Sequence, residues 1–160
     1  MLWGMWDLYF DENGLEVKAI PVRKPEAHFK VTGKVQPPEC FDCLSISVNS
    51  FDPVTRIIDV NVTLKNPTVF TGRDVCGILY TNATGHMIKN PDDWTPFYDI
   101  QGGDIINPFK AFAKDQNKRS FAPSALHTEN YLAYIPKPPN YAGIKYAVTA
   151  SWVGNARNHI

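Results

Sequence analysis

The chain has no excess charge of either sign. Sixteen lysines and arginines offset sixteen aspartates and glutamates in 160 residues. A neutral surface exerts no general pull on nucleic acid or anionic lipid, and it does little to keep copies apart. Long apolar runs are missing as well, so no transmembrane segment is expected. The opening Met1-Leu2-Trp3-Gly4-Met5-Trp6 is too short and too aromatic for a signal peptide. No Gly-x-Ser-x-Gly elbow marks a serine hydrolase. Cysteine is scarce, at three residues, and none sits in the setting of a thiol catalyst. Helical periodicity is nearly absent, and only Phe109 to Ala113 reads as a short helical scrap.

What the chain does have is alternation. From Arg56 to Lys65, Ile58, Val60, Val62 and Leu64 share one side, with Asp59, Asn61, Thr63 and Lys65 on the other. That is the rhythm of a half-buried strand. It recurs in Trp3–Phe10, where Trp6, Leu8 and Phe10 share a face, and in Leu15–Val22 after an Asp11-Glu12-Asn13-Gly14 turn. Further strands are expected at Ala27–Val35, at Leu44 to Val48, at Asp74–Tyr80, at Thr128–Ile135 and at Ile144–Trp152. Phe51 to Thr55 and Asn66-Pro67-Thr68 are read as turns, and Lys89 to Gly103 as a loop. Thirteen prolines and ten glycines supply the punctuation.

About nine strands at roughly ten-residue spacing predict an all-β, antiparallel β-sandwich of immunoglobulin or fibronectin type, with a closed barrel as the competing architecture. The expected organisation is one domain over 1–153, with N-terminal strands in 1–36, the main sandwich in 44–153 and a tail at 154–160.

Several segments together resemble large uncharacterised exported β-rich proteins of environmental bacteria. They are Leu2-Trp3-Gly4-Met5-Trp6, Pro21-Val22-Arg23, Val31 through Pro38, Phe51-Asp52-Pro53-Val54-Thr55-Arg56 and Asn66-Pro67-Thr68. To these add Gly72 and Asp74 ahead of Gly77-Ile78-Leu79, then Asn107-Pro108-Phe109-Lys110, and Ala150-Ser151-Trp152. The resemblance carries no catalytic residue. It implies an extracellular or cell-surface module, exported by a signal not contained in this chain and part of a larger assembly.

The candidate chemistry is sparse. Cys40-Phe41-Asp42-Cys43 is read as a short-loop disulfide. A zinc half-site completed by Cys76 with His28, His86 or His127, or a redox pair, are the alternatives. Cys76 otherwise reads as a small core residue. No cofactor is expected, the one candidate being calcium at Asn90, Asp92, Asp93 and Asp104, which supply oxygens from one Gly-containing stretch. Ser120 and Ser124 near His127 are read as loop serines beside a solvent-facing histidine rather than a triad.

Trp3, Trp6, Trp94 and Tyr98 are the candidate contact residues, because exposed aromatics anchor interfaces or stack on sugar rings. Trp3 and Trp6 lie on a first strand that either completes its own sheet or adds to a neighbour's edge. The functional expectation is therefore non-enzymatic. It is an extracellular structural or interaction module that contacts itself or another extracellular protein, with a carbohydrate-binding module as the alternative and a hydrolase well behind.

Overall fold

The computed structural model describes residues 2–10, 16–22, 40–79, 87–95, 107–135 and 144–152. Eleven strands follow in chain order: β1 (Leu2–Phe10), β2 (Val17–Pro21), β3 (Leu44–Asp52), β4 (Ile57–Lys65), β5 (Gly72–Leu79), β6 (Met87–Ile88), β7 (Asp93–Thr95), β8 (Asn107–Ala111), β9 (Ser120–Phe121), β10 (Leu126–Tyr134) and β11 (Ile144–Trp152). All pair antiparallel, in two sheets. One sheet runs β2-β1-β11-β5-β8-β7, with β9 also on β5, and the other runs β3-β4-β10-β6. Both sheets are open, so the architecture is a sandwich and not a closed barrel. Among the described residues no helix is long and apolar enough to cross a membrane.

β4 behaves as its pattern demands. Ile58, Val60, Val62 and Leu64 are buried and face the other sheet, and the residues between them are half-buried. Tyr131 and Ala133 of β10 join them, and Trp6, Leu8, Phe10, Val75, Leu79, Tyr146, Val148 and Ala150 meet them from the larger sheet. A narrow apolar gap of about 20 Å³ remains between the sheets, lined by Leu8, Phe10, Ile46 and Tyr131 among others. It has room for a water-sized body and no polar partner to hold one.

The first strand completes its own sheet. β1 lies between β2 and β11, paired on both sides. Trp3 and Trp6, expected to meet a partner, are instead 0% and 2% exposed and belong to the core. Burying side chains of this size contributes about 2–3 kcal/mol each. Trp3 stands at odd and Trp6 at even sequence parity, so a regular strand would put them on opposite faces. The register of β1 against β11 shifts between Leu2 and Gly4, and this bulge accompanies the turning of both indoles inward.

Two other expectations need correction. Phe109–Ala113 is no helical scrap, because β8 runs through it. The stretch from Lys89 contains β7, so it is not loop throughout. β11 is buried at every position from Tyr146 to Ala150. Met5, Ala147 and Ile78 stand in one cross-strand row and are all buried, yet none belongs to the central core cluster. The middle of the larger sheet is thus buried on both faces, which removes alternation as a signal. The Asp11–Gly14 turn, the Ala27–Val35 strand and the tail lie outside the described residues.

Candidate functional site

One end of the sandwich gathers exposed apolar side chains. There β4 stops, β10 and β5 start, and the Cys40–Cys43 segment leads into β3. Phe41 is 79% exposed, Val69 82%, Phe70 65% and Leu126 63%. The backbone brings these residues together. Leu126 is the cross-strand partner of Lys65, the Lys65 amide donates to the Cys43 carbonyl at 3.0 Å, and Asn66 holds the Val69–Phe70 loop. Lone exposed hydrophobics need no explanation, but four at one end mark a surface suited to contact. The sequence reading missed all four. Its one available signal was Val69-Phe70, an apolar pair inside a segment with no strand rhythm.

Asn66 builds this end. It is fully buried, and its side chain is fully engaged. Its Nδ2 donates to the carbonyls of Phe70 at 2.8 Å and Phe121 at 3.1 Å. Its Oδ1 accepts from the Thr68 amide at 3.0 Å and lies 2.7 Å from the Thr68 hydroxyl. Its backbone amide donates to Ala125 and its carbonyl accepts from Ser124. One residue therefore ties the 66–70 loop to the 121–125 loop. Nearby, Cys40 and Cys43 are joined as a disulfide with Cα atoms 5.7 Å apart, which leaves Phe41 displayed between them. Cys43 is buried and Cys40 packs against the core.

Of the candidate calcium oxygens, those of Asn90 and Asp92 are committed elsewhere in the fold. Asn90 spends its amide on β10, donating to the Asn130 carbonyl at 3.0 Å and accepting from the Leu132 amide at 2.9 Å. Asp92 accepts from the Ala111 amide at 2.7 Å and pairs with Lys114 at 2.9 Å and Lys110 at 3.6 Å. Glu129 of β10 takes Lys114 at 2.9 Å and Lys110 at 4.0 Å. Two carboxylates already balanced by two ammonium groups leave little negative field for a calcium ion. Asp93 is exposed at the start of β7, and Asp104 lies outside the described residues.

These four charges have a structural role. Lys110 is on a strand of one sheet and Glu129 on a strand of the other, so the network clamps the sandwich along one side. Burial acts to raise the Asp92 pKa, but the Ala111 amide and the two lysines outweigh it and hold the carboxyl below its ordinary value. Lys114 is pushed up, because its bonds to Asp92 and Glu129 outweigh burial. A depressed carboxyl stabilises the fold above its unfolded value of 3.8, and that contribution is lost as pH falls through the folded value. A raised lysine stabilises below 10.5, and that contribution is lost as pH rises through its folded value. We expect the urea midpoint of Asp92→Asn to be lower than wild type at neutral pH and the gap to close as pH falls below the carboxyl's ordinary value of 3.8. Parallel curves across that range would rule out this origin of acid sensitivity.

The outer face of the smaller sheet is of a different kind. Ser45, Ser47 and Asn49 of β3, Asp59, Asn61 and Thr63 of β4, and Thr128 and Asn130 of β10 form a polar array. Thr63 and Thr128 hydroxyls meet at 2.7 Å, Asn49 donates to Asp59 at 3.0 Å, and Asn130 donates to Asp59 and to Asn61. Tyr134, partly exposed, stands at the end of β10.

The remaining candidates scatter. Trp94 is in β7, its side chain outside the described residues, as is all of Tyr98. His127 is half-buried with its ring edge-on to Phe121 at 4.6 Å, not solvent-facing. Ser120 is in β9, and Ser124 sits in a turn with φ 64°. Cys76 is a free, half-buried thiol that burial and then Asp74 push up to about 12, which makes it inert as a nucleophile. No protein-family model matches the chain, and neither does any curated protein or solved structure.

Proposed function

We propose that this chain is an immunoglobulin-like extracellular interaction module that binds a protein surface, its own or another's, through the apolar loop end. The observation that carries the reading is the grouping of Phe41, Val69, Phe70 and Leu126, each more than half exposed, on a rigid scaffold. Apolar loops held by a buried polar hub present a preformed contact surface at small ordering cost. The balanced charge favours a second copy as partner, since copies of a neutral protein do not repel. The disulfide is compatible with an oxidising, extracellular setting.

Sedimentation equilibrium tests this. Wild-type protein is expected to associate as concentration rises, and Val69→Ser with Phe70→Ser to weaken that association by at least about tenfold, or 1.4 kcal/mol. Both residues are exposed, so the fold should tolerate the change. A wild type that stays monomeric at every concentration, with no difference in the double variant, counts against self-association.

A second reading, a carbohydrate-binding module, is favoured by the outer face of the smaller sheet. Planar amides and hydroxyls beside an exposed tyrosine suit sugar hydroxyls and ring faces. Its test is retention on insoluble polysaccharide, lost in Tyr134→Ala with Asn130→Ala but kept in the Val69/Phe70 variant.

A further inference from the structure

We propose that Cys40, Asp42 and Cys43 form a binding site for a thiophilic metal ion of the zinc class when their disulfide is reduced, so that one turn carries either a covalent bridge or a metal. This inference is independent of the protein-binding reading. The two sulfurs and an Asp42 carboxylate oxygen all lie within 4.8 Å of one another. In a tetrahedral zinc site, metal–sulfur bonds of about 2.3 Å set sulfurs about 3.8 Å apart, so opening the bridge and parting the two sulfurs to that spacing brings all three donors within reach of one ion. The Asp42 Oδ1 already lies 3.3 Å from the Cys40 sulfur. In the bridged state that sulfur has no proton to give, so this is contact and not a hydrogen bond.

The turn is anchored at one end and open at the other. Cys43 is buried, with its carbonyl held by the Lys65 amide at 3.0 Å. Asp42 is exposed and Cys40 half-buried, so an ion can approach from solvent. Two thiolates and a carboxylate are a soft donor set of the kind that selects zinc over calcium or magnesium. Three protein ligands leave the fourth position to water.

The chemistry balances. An external dithiol gives two electrons and two protons and closes its own disulfide. The Cys40–Cys43 bond opens to two thiols. The metal then displaces both thiol protons to solvent. Oxidation in the reverse sense expels the ion.

The test uses Co2+ as the probe. The protein is reduced with a trialkylphosphine, which takes the oxygen of a water to become its oxide, and excess reductant is removed under anaerobic conditions. Thiolate-to-cobalt charge transfer is then followed in the near ultraviolet. One equivalent should bind to the reduced protein and be displaced by Zn2+. The oxidised protein, which keeps its free Cys76, should show no band. Cys40→Ser should abolish the band, and Asp42→Asn should weaken Co2+ by at least about tenfold, the lower range for disturbing even an outer-shell group. If reduction alone unfolds the chain, Zn2+ should restore its circular dichroism spectrum. No band in reduced, folded protein overturns the proposal. So does a reduced chain that Zn2+ fails to refold, an Asp42→Asn variant that binds as tightly as wild type, or a band of equal strength in the oxidised protein.

Discussion

Replacing Gly77 by alanine is expected to lower stability by about 4 kcal/mol, enough to cost a domain of this size roughly 8–16 °C in melting temperature. The reason is steric and specific. Gly77 lies in β5, and a Cβ built there would stand 2.0 Å from the Tyr146 hydroxyl oxygen and 2.2 Å from that of Tyr131. Both tyrosines are buried in the centre of the sandwich with rings edge-to-face at 5.7 Å, so neither can swing out to solvent. The Tyr131 hydroxyl donates to the Gly77 carbonyl at 3.2 Å, which commits its single proton. The Tyr146 hydroxyl, 2.7 Å away, then donates to Tyr131. A methyl group at Gly77 breaks that relay and leaves buried hydroxyls without partners. The expected rescue is equally specific. Tyr131→Phe with Tyr146→Phe should be destabilising alone yet recover a good part of the loss when combined with Gly77→Ala. Additive effects in that thermal-denaturation cycle would show that the hydroxyls are not the obstacle.

Asn66→Ala is expected to cost about 3 kcal/mol and to loosen the apolar end. It deletes the side-chain bonds to Phe70, Phe121 and Thr68 together and takes a donor from the buried Phe121 carbonyl. Asn66→Asp is the sharper control. The shape is kept, but the donor becomes an acceptor facing two carbonyl oxygens, and the charge sits at a position with no exposure. Aspartate should therefore be at least as damaging as alanine, where a merely space-filling role would leave it nearly silent. Urea denaturation gives the stability, and hydrogen exchange of the Thr68 and Phe70 amides reports the loop. Undisturbed protection of both amides in Asn66→Ala would refute the hub.

The parts of this fold written in local rhythm were readable, and the parts set by long-range geometry were not. β4 has one dry face and one wet face, so its sequence alternates and its burial matches residue for residue. β11 was legible as a strand over Ile144–Trp152, but not the burial of both its faces from Tyr146 to Ala150, because a strand with no wet side leaves no polar alternation to mark it. β8 is five residues long, too short to separate a period of 2 from one of 3.6. Trp3 and Trp6 stand out in the sequence as contact candidates, because aromatic residues near a chain end invite that reading. The register shift before Gly4 is a property of pairing with β11, far away in sequence. The apolar end was hidden for a similar reason. Phe41, Phe70 and Leu126 come together only after Asn66 has tied the 66–70 loop to the 121–125 loop and Lys65 has bonded Cys43, and the sequence presents Asn66 as part of an ordinary Asn-Pro-Thr turn. The clamp joins Asp92, Lys110, Lys114 and Glu129 from separate segments, and no spacing rule connects them.

The placement of β1 between β2 and β11 also governs how the domain comes into being. β1 ends at Phe10 and β11 begins at Ile144, so a ribosome emits β11 long after β1. Until then, among the described strands, β1 has β2 alone beside it, and its edge toward β11, on the strand carrying Trp6, Leu8 and Phe10, is unpaired. Pairing between sequence-distant strands is slow, and waiting strands of this composition stick to one another. Insertion of β11 is thus the natural late step of folding, and the nascent hairpin is the stage at which a holding chaperone has most to protect.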